Sequence, residues 1–172
     1  MLRIAKYLFL TATLIVLCST QGAAGDSRVL KFYHTHTHET LQITYYRGGD
    51  YVPSAMKELR YFLADWRNKK QQDIDPELLD ILWQVQRVTG NRDAFEVISA
   101  YRSPETNALL RKKSSGVAKK SQHLLGKAID VRLRGTDLAF LHRTASDLRL
   151  GGVGYYPGSD FIHVDTGRVR YW

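Results

Sequence analysis

The stretch SQHLLGKAIDVRL, residues 121–133, places a histidine in a polar loop and an aspartate seven residues later in a strand. The strand is centred on residues 128–133, where small, apolar and β-branched residues cluster. A glycine and an alanine between the histidine and the aspartate let the backbone turn closely beside both side chains. We therefore expect His123 and Asp130 to lie at one site.

A second histidine and aspartate occur in DFIHVD, residues 160–165. Because side chains alternate along a strand, His163 and Asp165 face the same side. Two histidines and one carboxylate are the three protein ligands typical of a catalytic zinc, which keeps its fourth position open to water. Such a site lowers the pKa of the bound water to about 7. The pattern predicts one zinc ion per chain, bound by His123, Asp130 and His163.

Hydrolysis at such a zinc also needs a carboxylate that takes the proton of the attacking water and passes it to the leaving amine. Asp160 lies three residues before His163, and Asp165 lies two residues after it. A strand brings Asp165 to the face of His163 more directly. Both aspartates remain candidates for the base.

The secondary structure predicted around these motifs has its helices first and most of its strands later. A hairpin is expected over residues 28–46, and helices are expected after Ser54, Asp75, Ser103 and Asp137. A buried strand is expected over 95–100, and the tail 151–172 breaks into short strands separated by glycine and proline. We expect an α+β fold in which a small antiparallel sheet carries the zinc site and is flanked by helices.

The first 25 residues have the composition of a secretory signal peptide. Arg3 and Lys6 precede an apolar run, and small residues follow near position 23. The apolar run is about half of the roughly 20 residues that span a bilayer. We therefore predict a signal peptide over 1–25, a single domain over 26–172 that carries the zinc site, and no membrane span after cleavage.

The chain is basic, and this charge has consequences for its partners. Arg3 and Lys6 contribute two of the eight net positive charges, which leaves six on residues 26–172. An exported basic protein meets anionic cell-wall polymers and lipid head groups. The lysine pairs in KKSSGVAKK, residues 112–120, lack the interleaved aromatic residues of a nucleic-acid surface. We therefore expect no nucleic-acid partner.

Histidines also alternate in HTHTH, residues 34–38, which invites a metal-binding interpretation. Their position in a predicted turn with threonine neighbours favours a polar edge instead.

The run SxHxxGxAxD of residues 121–130, followed by the HxD of residues 163–165, resembles the zinc murein peptidases of the lysostaphin, D-Ala-D-Ala carboxypeptidase and hedgehog-like group. The resemblance is closest to the small murein endopeptidase K-like branch. It extends over most of the chain after the leader, through the segments HTHTHE, SAYRSPETN, SSGVAKKSQHLLGKAIDV and GGVGYYPGSDFIHVDTGRVRYW.

The resemblance implies a hedgehog/D-Ala-D-Ala-peptidase-like fold, zinc binding by His123, Asp130 and His163, and a periplasmic enzyme that hydrolyses the stem-peptide crosslinks of peptidoglycan. In the wider group an acidic residue three before the last ligand often serves as base. That position is Asp160 here, but the closer branch need not keep an acid there, so Asp165 also stays a candidate.

Arg102 resembles the arginine of the group's YRS motif. Its guanidinium could bind a substrate carboxylate with two hydrogen bonds or stabilise an oxyanion, which makes it a candidate catalytic residue. The alternative is a surface arginine that pairs with Glu105.

Three other functions remain compatible with the sequence. The chain could be a noncatalytic, zinc-stabilised cell-wall-binding module, a D-Ala carboxypeptidase, or a basic polyanion-binding protein. Spare carboxylates beside His163 disfavour a purely structural zinc site, which needs no base. Which crosslink is cut and the oligomeric state are not indicated by any motif.

Overall fold

The computed structural model describes residues 26–114 and 116–172, so the predicted signal peptide lies outside the described residues. Four α-helices interrupt eight strands. The strands are β1 (Ser27–His34), β2 (Thr40–Arg47), β3 (Asp50–Tyr51), β4 (Phe95–Ser99), β5 (Ala128–Leu133), β6 (Gly152–Tyr156), β7 (Phe161–Asp165) and β8 (Arg170–Tyr171). The helices are α1 (Pro53–Phe62), α2 (Pro76–Thr89), α3 (Pro104–Lys113) and α4 (Leu138–Asp147). Short 3₁₀ turns cover Gln122–Leu125 and Pro157–Ser159.

All eight strands belong to one sheet, in the order β3-β2-β1-β4-β5-β7-β6-β8. The pairs β1–β4 and β6–β8 are parallel, and the other pairs are antiparallel. The prediction of a small antiparallel sheet is therefore wrong. The predicted hairpin of β1 and β2 does form. The chain then passes through α1 and α2 before β4, which pairs in parallel with β1. Local sequence patterns define strands without defining which strands become neighbours.

The starts of α2, α3 and α4 follow the capping signals. Asp75 accepts a hydrogen bond from the Glu77 amide, 3.1 Å away, and Gly90 ends α2 in the left-handed region at φ 69°. α1 begins at Pro53, two residues before the helix predicted after Ser54, because proline suits the first helical position. Its N-cap is Val52, so Ser54 does not cap it. None of the helices in the described ranges is long and apolar enough to cross a bilayer.

The core lies between the helices and one face of the sheet. Alternate residues of β1, β2 and β4 are buried, and Phe32 on β1 packs its ring 6.1 Å from Phe62 of α1 and 6.3 Å from Phe95 of β4. A buried side chain of this size contributes roughly 1.5–3 kcal/mol. This core supports β4 and β5, whose ends carry the site described below.

The alternating histidines occupy the end of β1 and the turn after it. His34 is buried, His36 stacks on Trp66 with ring centroids 4.1 Å apart, and His38 shares a 2.8 Å hydrogen bond with the Tyr33 hydroxyl. Within the described ranges these three histidines do not form a group that could hold a metal ion.

Acidification is expected to destabilise the fold through His34. Burial, followed by the neighbouring His36, lowers the pKa of His34 to about 4. The unfolded chain binds a proton near pH 6.5, so the free energy of unfolding falls as the pH drops from 6.5 to 4. The loss is about 3 kcal/mol. Urea denaturation across this range should show a smaller loss for His34→Gln than for the wild type or for His38→Gln. Equal losses in all three proteins would contradict this origin.

Candidate metal centre

Asp130 and His163 are placed side by side by strand register. β5 and β7 pair antiparallel, with Asp130 directly opposite His163. Directly opposed residues point to the same face of a sheet, so the carboxylate and the imidazole emerge together. The third side chain, His123, comes from the 3₁₀ turn just before β5.

The turn that presents His123 depends on two of its neighbours. The Ser121 hydroxyl accepts a 3.3 Å hydrogen bond from the His123 amide and caps the turn. Gly126 ends it with φ 67°, in the left-handed region. A Cβ atom at Gly126 would lie 2.1 Å from the Asp73 carbonyl oxygen, so only glycine allows this approach. The left-handed φ at Gly126 itself lets the backbone fold back tightly between His123 and Asp130, as the sequence predicts.

Three potential ligand atoms converge at this point. Asp130 Oδ1 lies 2.9 Å from His163 Nδ1 and 3.3 Å from His123 Nε2, and the two nitrogens are 3.2 Å apart. Ligands of a tetrahedral metal ion of zinc's size lie about 3.3 Å from one another. All three residues are buried. Within the described ranges they form a His-Asp-His group that could bind a metal ion.

The far side of each imidazole is held by an acceptor. His123 Nδ1 donates to the Ala100 carbonyl oxygen at 2.6 Å, and His163 Nε2 donates to Asp165 Oδ2 at 2.8 Å. These bonds place the ring protons away from the centre and turn the lone pairs of His123 Nε2 and His163 Nδ1 toward Asp130. Metal-binding histidines are typically oriented by such acceptors. The residues present therefore fit a divalent metal ion.

Asp165 lies behind His163. Its side chain is fully buried, and it accepts two hydrogen bonds from Arg170, at 3.0 and 2.6 Å, and one from the Gly167 amide at 2.8 Å. Burial would raise the pKa of Asp165, but the hydrogen bonds from His163, Arg170 and Gly167 lower it below its ordinary value. Strand alternation correctly predicts that Asp165 and His163 lie on the same face of β7. Both carboxylate oxygens of Asp165, however, already accept hydrogen bonds.

Asp160 is placed differently from Asp165. It follows a 3₁₀ turn with φ 52°, its side chain is 62% exposed, and Arg132 donates to its Oδ2 at 2.8 Å. Neither Asp160 nor Asp165 belongs to the lining of the cleft above the His-Asp-His group.

Arg102 is buried beside the group. Its terminal nitrogen NH2 lies 3.8 Å from Asp130 Oδ2, and NH1 lies 3.5 Å from the Asn107 side-chain oxygen. Its Nε is buried without a partner among the described residues. The alternative pairing with Glu105 is wrong, because Glu105 accepts a 2.6 Å hydrogen bond from Lys70 and Arg102 faces the cleft.

The cleft above the group has a volume of about 440 Å³. Its cationic lining includes Arg102, Lys120 and Arg170, and its aromatic lining comprises Tyr156, Phe161 and Trp172. Phe161 and Tyr156 stack 4.7 Å apart, and the indole nitrogen of Trp172 donates to the Tyr156 hydroxyl at 2.8 Å.

No motif in the sequence identifies Arg170 and Trp172 as residues of the site. The one local signal is Gly154 on β6, where a Cβ atom would lie 2.7 Å from the Trp172 ring. A glycine inside a strand often marks such a close approach.

A family model described as "Peptidoglycan L,D-endopeptidase MepK" matches residues 22–172. The chain belongs to this MepK family. The resemblance noted in the sequence is therefore confirmed, including the murein endopeptidase K-like branch.

Curated MepK relatives cover most of the chain. Peptidoglycan L,D-endopeptidase MepK of Escherichia coli (strain K12) is 41% identical over 145 residues, which are 84% of this chain and 80% of that protein. The probable peptidoglycan L,D-endopeptidase MepK of Haemophilus influenzae is 44% identical over 146 residues, which are 84% of this chain and 78% of that protein. No solved structure matches the chain significantly.

Proposed function

We propose that the chain is an exported, zinc-dependent L,D-endopeptidase that hydrolyses peptide crosslinks in peptidoglycan. Membership of the MepK family supports the reaction and the substrate. The single structural observation that carries the metal assignment is the convergence of His123 Nε2, Asp130 Oδ1 and His163 Nδ1 within 2.9–3.3 Å at a cleft. Peptidoglycan lies outside the cytoplasmic membrane, which agrees with a signal peptide over residues 1–25.

The donor set favours zinc among divalent ions. Neutral imidazole and carboxylate ligands in a three-residue set are typical of catalytic zinc sites. Bound there, zinc would polarise the scissile carbonyl group and lower the pKa of a water molecule to about 7.

Arg102 is the residue best placed to bind the substrate or its developing negative charge. Its guanidinium is buried at the cleft, its Nε has no partner in the part of the chain that the structure describes, and its other contacts are long, so donors are available. Burial lowers the pKa of Arg102, and the nearby Asp130 carboxylate opposes this shift. Arginine retains its proton in proteins even so, and a charged donor in a confined site stabilises an oxyanion or a carboxylate strongly.

The two aspartates near His163 receive different roles in this proposal. Asp165 holds the His163 ring in position, because its oxygens are occupied by His163, Arg170 and Gly167. Asp160 is the candidate base, because its carboxylate is exposed and it directly precedes the cleft residue Phe161 in the chain. Its ion pair with Arg132 is at the surface and worth about 0–1 kcal/mol, so the carboxylate can leave it at little cost.

Replacing Asp165 by asparagine is expected to weaken zinc binding about 10- to 100-fold, because the acceptor that orients His163 loses its charge. Competition with a chromophoric chelator measures this affinity without any substrate. Asp160→Asn serves as the matched control and should bind zinc as the wild type does. Wild-type affinity in Asp165→Asn would argue against the positioning role.

Asp160→Asn is expected to reduce kcat about 100-fold, because the amide cannot take a proton from the attacking water. The measurement is the initial rate of crosslink cleavage by protein fully loaded with zinc. A kcat within twofold of the wild type would exclude Asp160 as the base.

The MepK relatives are named L,D-endopeptidases, and this name indicates which crosslink to test. A bond between two diaminopimelate residues joins an L-centre to a D-centre, whereas the bond from D-Ala to diaminopimelate joins two D-centres. We propose the first bond as the substrate.

Purified dimeric muropeptides of each type, and a monomer ending in D-Ala, should be incubated separately with the mature protein. Cleavage of the first dimer is expected. Release of D-Ala from the monomer alone would instead identify a carboxypeptidase, and binding without any cleavage would identify a noncatalytic module.

A further inference from the structure

The main chain on either side of Arg102 is anchored to a turn formed by residues 63–70, here called the 63–70 turn. The Tyr101 amide donates to the Leu63 carbonyl oxygen at 3.1 Å, and the Ser103 amide donates to Asp65 Oδ2 at 2.9 Å. The Arg102 amide itself donates to the His123 carbonyl oxygen at 3.1 Å. Residues 101–103, here called the Arg102 bend, are therefore hydrogen-bonded both to the 63–70 turn and to His123.

Asp65 is a buried carboxylate that the proposed reaction does not use. It is 1% exposed, and its Oδ1 accepts a 3.1 Å hydrogen bond from the Arg67 amide. Burial would raise the pKa of Asp65, but hydrogen bonds from Thr106, Ser103 and Arg67 hold it below its ordinary value. A buried charge is costly unless its hydrogen bonds are satisfied, so removal of these partners would be unfavourable. Asp65 is thus a charged hydrogen-bond acceptor that holds the main chain at Ser103.

Asn68 provides a second attachment from the same turn. Its side-chain amide donates to the Ser103 hydroxyl at 2.7 Å, and that hydroxyl also accepts from the Thr106 amide at 3.2 Å. Ser103 is the N-cap of α3. The 63–70 turn therefore holds both the amide and the hydroxyl of Ser103, and through them the start of α3.

The side chain of Arg102 has few anchors of its own. Its nearest side-chain acceptors, on Asn107 and Asp130, are 3.5 and 3.8 Å away, and its Nε has no partner among the described residues. The direction of such a long side chain depends on the backbone from which it starts. The hydrogen bonds that hold the main chain at residues 101–103, at 2.9–3.1 Å, are shorter than these side-chain contacts.

We propose that Asp65 is a positioning residue for Arg102, acting with Asn68 through Ser103 to fix the bend from which the guanidinium enters the cleft. The structural part of this inference is independent of the reaction. Its effect on turnover rests on the proposed function.

The structural part is tested by NMR on the zinc-loaded protein. The Nε–H signal of Arg102, assigned by its loss in Arg102→Lys, should show the relaxation of an ordered side chain in the wild type. In Asp65→Asn the same signal should become mobile, and Asn68→Ala should shift it in the same direction by a smaller amount. The matched control is Asp80→Asn. Asp80 lies on α2, outside the cleft lining, and its carboxylate accepts hydrogen bonds from Arg28, Tyr45 and Tyr51. An Arg102 signal that stays ordered in Asp65→Asn overturns the proposal.

The kinetic part uses a double-mutant cycle, since only residues that act together give non-additive effects. We expect Asp65→Asn to reduce kcat/KM about tenfold in the wild-type background and less than twofold in Arg102→Ala. A tenfold loss in both backgrounds would show that Asp65 does not act through Arg102. Asp80→Asn should lower the melting temperature while leaving kcat/KM of the folded protein unchanged. If the wild type cleaves no crosslink, the proposed function fails, and the NMR result still decides the role of Asp65.

Discussion

Replacing His123 by alanine is expected to remove bound zinc and to reduce crosslink cleavage at least about 1,000-fold. The loss follows because Asp130 and His163 alone provide two of the three ligands, and metal polarisation contributes several kcal/mol to the transition state. Zinc content by atomic absorption and cleavage rate by chromatography of muropeptides measure the two effects on one sample.

The control for this experiment is His142→Ala. His142 lies on α4, packs with its ring centroid 4.8 Å from that of Tyr155, and is not part of the His-Asp-His group. It should retain both zinc and activity. A His123→Ala protein that keeps one zinc ion per chain would contradict the assignment of this ligand.

Replacing Arg102 by alanine is expected to lower kcat/KM about 100- to 1,000-fold while leaving the zinc content unchanged. A charged donor aimed at a developing oxyanion contributes about 3–4 kcal/mol, and the structure offers the buried guanidinium at the cleft for this role. Arg102→Lys should recover only part of the loss, because an ammonium group cannot form two parallel hydrogen bonds. Arg134→Ala, which removes an exposed arginine paired with Glu96, is the matched control.

Separate values of kcat and KM distinguish the two roles considered for Arg102. A fall in kcat indicates oxyanion stabilisation, and a rise in KM with unchanged kcat indicates binding of a substrate carboxylate. A kcat/KM value within threefold of the wild type would exclude both.

The parts of the site that were predicted from sequence depend on short-range geometry. Alternation along β7 places His163 and Asp165 on one face, and their side chains meet at 2.8 Å. Gly126 ends the 3₁₀ turn in the left-handed region, which returns the chain from His123 toward β5. Each of these relations spans at most seven residues, over which backbone periodicity and turn chemistry are decisive.

The parts that were not predicted depend on which distant segments meet. The sheet is mixed because β1 pairs with β4 some sixty residues later, a choice made by packing of the whole core. Asp65 lies under the Arg102 bend through a hydrogen bond to Ser103, 38 residues away. Trp172 reaches the cleft because β8 pairs with β6. No local pattern in the sequence specifies these pairings.

The roles of the two aspartates near His163 illustrate the same distinction. Their spacing from the histidine makes both of them candidates for the base. Their hydrogen-bond partners differ. Arg170 and Gly167 donate to Asp165 in the interior, and Arg132 donates to Asp160 at the surface.

Zinc-dependent cleavage of crosslinks is tested by digestion of purified, crosslinked peptidoglycan by the mature protein, before and after removal of metal with a chelator. We predict that crosslinked dimers disappear with the untreated protein, persist after chelation, and disappear again when one equivalent of zinc is restored. Dimers that persist throughout, with zinc bound at one ion per chain, would contradict a zinc-dependent endopeptidase and indicate a noncatalytic cell-wall-binding module.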